Sequence, residues 1–124
     1  MNGIDYMADT NALIYLLSGN PCMKPYLSSH IALSVISEME LLSFFGITPS
    51  EEERIRSLIQ DCAVLFLTED IKNKAIALRR AYKIKLPDAI IAATAIENKL
   101  KLITADKGFE RIRELNLLLI EPEF

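Results

Sequence analysis

Short apolar runs alternate with segments of helical periodicity along this 124-residue chain. Runs with the length and composition of strands occupy residues 4–8, 31–33, 63–67, 102–104 and 117–120. Segments long enough for helices separate most of these runs. Alternation of strand and helix is typical of a parallel sheet, because parallel strands are joined by crossovers that carry helices. We therefore predict an α/β fold in which helices flank a parallel sheet.

Breaker and capping residues define the predicted helices. The first helix covers residues 10–17 and stops at the cluster 18–21, and the second covers residues 35–45 and stops at Gly46. A third begins at Pro49 or Ser50, with Ser50 as its cap and residues 51–53 in its first turn. Thr68 caps a fourth helix, Pro87 opens a fifth that runs to Asn98, and residues 107–115 form a short sixth.

Composition restricts the class of protein. The length fits one domain, residues 1–124, and a hydrophobic content of 51% can fill one core. The net charge of −3 argues against a strongly basic surface for nucleic acid. Cys22, Cys62 and the single His30 lack the spacing of a zinc site or a disulfide framework. With no secretory signal and no membrane-length apolar run, we expect a soluble protein of the cytoplasm.

Four acidic residues stand where apolar strand-like runs give way to helices, or just inside a helix: Asp9, Glu40, Asp88 and Asp106. The ends of parallel strands meet at one edge of a sheet, where ligands bind, so acids far apart in sequence could meet in space. Carboxylates in one crevice repel each other unless a cation joins them. Hard oxygen ligands of this kind suit Mg²⁺ or Mn²⁺. The pattern indicates metal-dependent chemistry on phosphate.

Each acid also has a structural explanation. Asp9 and Asp106 can be helix N-caps, and Asp88 can complement the dipole in a first helical turn. Residues 37–40 match a capping box, but the apolar pattern of that helix begins before residue 37, so Glu40 lies inside the helix. Asp88 heads a helix that is apolar on nearly every side. A carboxylate at the start of a buried helix needs a partner, and a metal supplies one.

Four strings of residues, in this order and spacing, resemble the PIN-domain nucleases and among them the VapC-type toxins of toxin–antitoxin pairs. They are Asp-Thr-Asn at 9–11, Ser-Val-Ile-Ser-Glu-Met-Glu-Leu at 34–41, Leu-Pro-Asp-Ala-Ile-Ile-Ala-Ala-Thr-Ala at 86–95 and Thr-Ala-Asp-Lys-Gly-Phe at 104–109. The resemblance implies a three-layer α/β/α sandwich with a short parallel sheet. It also implies an acidic pocket that binds Mg²⁺ or Mn²⁺ and cleaves RNA.

The resemblance assigns the metal and catalytic role to Asp9, Glu40, Asp88 and Asp106, with Asn11 and Thr104 as polar support. In the resulting hypothesis Asp9 and Asp106 are the principal ligands, Glu40 and Asp88 complete the site, and a metal-activated water cleaves the RNA phosphodiester. Some relatives carry a further acid where this chain has Gly108, so one metal site is expected and a second stays open.

The resemblance also implies partners: a small antitoxin protein that covers the pocket, and a second copy of the chain in a homodimer. Exposed apolar residues around 16–17 or 41–45 are the hypothesis for the contact. For the RNA, residues 72–85 carry six basic residues and no acid. We predict that Lys72, Arg79 and Lys83, on one side of a helix, guide phosphates towards the pocket. The alternative is a solvated helix face.

Three rival functions make different demands on these residues. A phosphatase of the HAD type needs a second Asp two residues after Asp9, and Asn11 stands there. A phosphoacceptor receiver domain needs an Asp after its third strand and a Lys after its fifth, near which this chain has Leu67 and Ile120. A catalytically inactive PIN fold that only binds partners is the third, and the presence of all four acids argues against it.

Overall fold

The computed structural model describes residues 3–124, in which five short parallel strands form one sheet in the order β3-β2-β1-β4-β5. The strands are β1 (Tyr6–Ala8), β2 (Ile31–Ser34), β3 (Ala63–Leu65), β4 (Leu102–Thr104) and β5 (Leu117–Leu119). The prediction of a short parallel sheet is confirmed.

Five α-helices and two 3-10 helices connect the strands. The α-helices are α1 (Thr10–Leu17), α2 (Val35–Leu42), α3 (Pro49–Gln60), α4 (Glu69–Ala81) and α5 (Leu86–Glu97). The 3-10 helices cover Pro21–Tyr26 and Lys107–Arg111. Among residues 3–124 no helix is both long and apolar enough to cross a membrane.

Alternating side chains of the strands fill two cores, one on each face of the sheet. Met7 and Leu102 pack with residues of α4 and α5, whereas Ala8 and Ile103 pack with residues of α1 and α3. α2 contributes to both cores. The three-layer α/β/α arrangement implied by the resemblance is therefore confirmed.

Several predicted helix ends were wrong, each for a local reason. α2 ends at Leu42 rather than Phe45, and the chain turns away through Gly46, which has a φ of 85°. Thr48, not Ser50, caps α3, because its side chain and that of Glu51 form a reciprocal capping box. Only a 3-10 helix, Lys107–Arg111, follows Asp106. The 3-10 helix at Pro21–Tyr26 was not predicted.

The strand order reverses direction between β1 and β4. From β1 the chain adds β2 and β3 on one side, and β4 and β5 then lie on the other. A crevice opens outside the carboxyl ends of the strands at such a reversal, and it is where ligands bind in open α/β sheets. Ala8 pairs with Ile103 in the β1–β4 register, so the residues that follow these two strands are neighbours.

Candidate active site

Asp9 and Asp106 lie at the switch between β1 and β4, on either side of Thr104. Asp9 caps α1: its Oδ1 accepts a hydrogen bond of 2.8 Å from Ala12 N, and its Oδ2 accepts one from the Thr104 hydroxyl. The Thr104 oxygen in turn accepts a 3.0 Å bond from Asp106 N. Thr104 is fully buried, and Asp9 is only 5% exposed. The predicted supporting role of Thr104 therefore corresponds to a direct contact with Asp9.

Glu40 and Asp88 approach the same place from two helices. Glu40 is exposed on α2, and Asp88 is partly buried in the first turn of α5. No side chain accepts a capping hydrogen bond at the start of α5, whose N-cap residue is Lys85. The capping explanation thus holds for Asp9 and Asp106, which do cap helices. Asp88 lies in the first turn of α5, where its charge suits the helix dipole, whereas Glu40 has neither role.

The four acids line one pocket of about 170 Å³. Its wall also includes Thr10, Asn11, Ile91 and Phe109. The structure thus brings together all four acids that the sequence selected, and places Asn11 beside them. Their catalytic role remains a prediction at this point.

Burial and mutual repulsion raise the pKa of two of these carboxyls. Loss of solvent is the main cause for Asp9; the bonds from Thr104 and Ala12 oppose it, and the charges of Asp106 and Asp88 add to it. The pKa of Asp88 is raised by burial and then by the charges of Asp106 and Glu40, and Lys85 opposes the shift. The pocket therefore concentrates negative charge, and no cationic side chain of the described residues lines its wall.

The donor set suits a hard divalent cation: carboxylate oxygens from four elements converge, and positive charge there would relieve the repulsion that raises the pKa of Asp88. The cage is not closed in advance. Within residues 3–124 no three acidic, histidine or cysteine side chains are already arranged to hold one ion together. The side chains of Glu40 and Asp106 are exposed, so a cation can reach them from solvent.

Sequence reasoning missed two hydroxyl residues beside Glu40. The Thr10 hydroxyl lies 2.6 Å from Glu40 Oε1 and 2.9 Å from the hydroxyl oxygen of Ser37, which is fully buried. Both residues belong to the strings at 9–11 and 34–41, in which the pattern gives Thr10 no role and Ser37 only a place in a capping box. The spacing of Ser37 and Glu40 by one helical turn was the available signal.

Gly108, which stands where some relatives carry a further acid, is in contact with Asp106. Its backbone N donates a 2.8 Å bond to Asp106 Oδ1, and a Cβ at this position would lie 2.9 Å from the same oxygen. Any side chain at residue 108 would thus displace the Asp106 carboxylate from its present position.

The three predicted RNA-binding residues do not line the acidic pocket. Lys72 forms an ion pair of 2.7 Å with Glu69, and Arg79 donates through Nε to the carbonyl of Ile84. α4 ends at Ala81, so Lys83 lies in the following loop and the prediction that all three share a helix face was wrong. Tyr82 adopts an extended conformation and begins the loop. Phosphate guidance by these residues remains a prediction.

An apolar groove of about 410 Å³ adjoins the acidic pocket, between α1, α2 and α3. Its apolar wall consists of Ile14, Leu17, Leu41, Phe44 and Ile55. Thr10 and Glu40 line both the groove and the pocket, so any molecule in the groove would lie against Glu40.

The family model for the PIN domain matches residues 6–115, which include every acid of the pocket. The chain belongs to the PIN-domain family. The match agrees with the motifs at Asp9, Glu40, Asp88 and Asp106 and decides against the HAD and receiver alternatives. The receiver fold also has a different strand order, 2-1-3-4-5. Comparison with curated protein sequences gives no significant match.

Several solved structures similar to this chain are toxin–antitoxin complexes. A chain of a toxin–antitoxin complex from Klebsiella pneumoniae is 36% identical, with a TM-score of 0.78 over 92% of this chain and 96% of that one. A chain of VapBC-1 from nontypeable Haemophilus influenzae is 26% identical, with a TM-score of 0.82 over 94% and 98%. VapBC2 from Rickettsia felis, bound to a promoter DNA fragment, has a TM-score of 0.84 over 95% and 100%, and at 22% identity it supports the fold alone.

These likenesses confirm the resemblance of this PIN-domain chain to VapC-type toxins, since both the family match and the structural neighbours cover nearly the whole chain. Nuclease chemistry is the activity class that this membership supports.

Proposed function

We propose that this chain is a metal-dependent endoribonuclease and the toxin of a type II toxin–antitoxin pair. The single observation that carries the proposal is the convergence of Asp9, Glu40, Asp88 and Asp106 on one pocket of a PIN-domain fold. Among residues 3–124 no serine, cysteine, histidine or lysine lines the pocket, and its four carboxylates supply the oxygen ligands that Mg²⁺ or Mn²⁺ requires.

The proposal gives the four carboxylates two tasks. Asp9 and Asp106 are the principal metal ligands, because they lie at the ends of adjacent strands and share the Thr104 hydroxyl. Glu40 and Asp88 complete the site, and one of them accepts the proton of the attacking water. Asn11 faces the same pocket, where its amide can donate to a phosphate oxygen. When bound, the cation supplies the positive charge that activates water and offsets charge on the leaving oxygen.

The apolar groove is the proposed site of the antitoxin. Ile14 and Phe44 are exposed in it, and its wall continues into the pocket through Thr10 and Glu40. A partner seated there would cover the pocket edge and block access of RNA. This location agrees with the predicted contact at residues 16–17 or 41–45. A homodimer is also proposed for this chain, on the family resemblance alone.

Cleavage of RNA in Mg²⁺ or Mn²⁺, compared with EDTA, tests the proposed activity. We expect metal-dependent cleavage by the native chain and a loss of at least about tenfold in Asp88→Asn, because even residues that only orient a metal ligand typically contribute about ten- to a hundredfold. Asp70→Asn is the matched control: Asp70 occupies the first turn of α4 as Asp88 does in α5, but it lies outside the pocket. Equal cleavage by all three proteins would refute the assignment of the site.

A folded native chain that cleaves no RNA under any of these conditions would instead favour the inactive interaction module. Circular dichroism and the unfolding temperature establish that each variant is folded before its activity is compared.

A further inference from the structure

We propose that Thr10 and Ser37 are positioning residues that hold the Glu40 carboxylate at the edge of the acidic pocket. The proposal rests on the metal-dependent activity proposed above and adds two residues to its machinery. It starts from a contrast between two carboxylates that line the pocket, those of Glu40 and Asp9.

Asp9 needs no further support, because it is buried and both of its oxygens accept hydrogen bonds. Glu40 is exposed on α2, and a glutamate has three side-chain torsions to restrict. Among residues 3–124 only Thr10 donates a hydrogen bond to the Glu40 side chain, at Oε1 and over 2.6 Å. That bond fixes the direction of the carboxylate and leaves Oε2 available to a ligand in the pocket.

Hydroxyl chemistry sets the direction of the two bonds. Thr10 has one hydrogen, and an ionised Glu40 can only accept, so the Thr10 hydrogen points to Oε1. The contact of 2.9 Å between the Thr10 and Ser37 oxygens then requires Ser37 to donate. Ser37 is fully buried and belongs to α2, one turn before Glu40. Its own position is therefore fixed by the packing of the core.

The chain of bonds from Ser37 to Thr10 to Glu40 joins two helices. Thr10 is the first residue of α1, directly after Asp9, whereas Ser37 and Glu40 are on α2. Thr10 thus sets the distance between the Asp9 and Glu40 carboxylates. Residues that orient a metal ligand through a hydrogen bond typically contribute about ten- to a hundredfold to metal affinity.

Binding of Mn²⁺ alone, measured by calorimetry on the full chain without RNA, tests this inference. We expect Thr10→Val, which keeps the shape and removes the hydroxyl, to weaken Mn²⁺ binding by about tenfold. Ser37→Ala should weaken it by about threefold, since the bond to Glu40 survives but its donor loses support. Thr10→Ser, which restores the hydroxyl, should bind Mn²⁺ as the native chain does.

Thr94→Val is the matched control, because it removes a buried threonine hydroxyl that bonds only the Ile90 carbonyl within α5. It should leave Mn²⁺ affinity unchanged whatever its effect on stability. In RNA cleavage, the Mn²⁺ concentration that gives half the maximal rate should rise in Thr10→Val by the same factor as the dissociation constant. A merely structural role would lower the unfolding temperature without this shift.

Native affinity in Thr10→Val would overturn the inference while leaving the proposed nuclease intact. Equal weakening in Thr10→Val and Thr10→Ser would also overturn it, since the hydroxyl would then not be responsible. If the native chain neither binds Mn²⁺ nor cleaves RNA, the proposed function fails and this inference fails with it.

Discussion

The hydroxyl of Thr104 donates a hydrogen bond to the buried carboxylate of Asp9, across the ends of two adjacent strands. The same oxygen accepts from the backbone of Asp106, so one side chain supports both acids of the sheet edge. We expect Thr104→Val to destabilise the metal-free protein by about 1–3 kcal/mol, the cost of leaving a buried polar group without its partner. Thr104→Ser should lose much less.

Urea unfolding in EDTA measures this effect, and its pH dependence identifies the cause. The Thr104 bond lowers the pKa of Asp9 by favouring the ionised form, so its loss should cost most at neutral pH. The cost should shrink as the pH falls through the pKa of Asp9. A destabilisation that is independent of pH would mean that the cavity or the strand, rather than the carboxylate, is affected.

Asp88 is expected to destabilise the metal-free protein at neutral pH. Burial, then the charges of Asp106 and Glu40, raises its pKa above that of the unfolded chain. The folded state therefore binds this proton more tightly, so the associated stability is present below the unfolded pKa and is lost as the pH rises through the folded pKa. Asp88→Asn, which cannot ionise, should raise stability at neutral pH by about 0.5–1 kcal/mol in EDTA. Thermal unfolding at acidic and neutral pH measures the difference, which should disappear in acid.

Mn²⁺ should raise the stability of the native chain, because it offsets the repulsion between the pocket carboxylates. A cation that binds only the folded state stabilises it by about 2.7 kcal/mol at a hundred times its dissociation constant. We expect this increase in the native chain and a strongly reduced one in Asp106→Asn, which loses a proposed principal ligand. Asp70→Asn should respond as the native chain does, since Asp70 lies outside the pocket. An equal rise in the unfolding temperature of all three would place the cation elsewhere.

The pattern of the sequence predicted the parallel strands, the flanking helices and the four acids, because each depends on local signals, whereas the three-layer arrangement was implied by the resemblance to PIN domains. Apolar runs of strand length selected all five strands, and the one or two residues that follow β1 and β4 selected Asp9 and Asp106. These signals are strong because a buried strand and an N-cap restrict which residue types are stable there.

The errors concern features that depend on tertiary contacts. The bond between Thr10 and Glu40 joins residues 30 positions apart, and no spacing within a helix reveals it. α4 ends at Ala81, after which Tyr82 adopts an extended backbone, and Lys83 therefore does not belong to the predicted basic face. Helix ends are the least determined part of a local pattern, because competing caps such as Thr48 and Ser50 differ little in propensity.

The basic residues of α4 and its following loop should contribute unequally to RNA binding. Lys72 already pairs with Glu69, so we expect Lys83→Gln to weaken binding more than Lys72→Gln. Each phosphate contact with a single strand adds about 0.7 to the slope of log affinity against log salt concentration. Fluorescence anisotropy over a salt series, in the Asp88→Asn background to prevent cleavage, measures both slopes. Slopes equal to that of the background protein would leave the solvated helix face as the explanation.

A substitution in the apolar groove should weaken antitoxin binding without changing RNA cleavage. Ile14 is 44% exposed and lines the groove, so Ile14→Asp would place a charge against the apolar face of a bound partner. We expect this variant to cleave RNA normally but to lose co-purification with a co-expressed antitoxin. Leu27→Asp is the matched control, because Leu27 is also an exposed apolar residue and lies outside the groove. Retained co-purification of Ile14→Asp, with loss in Leu27→Asp, would move the partner to the surface near Tyr26 and Leu58, the lining of a separate pocket.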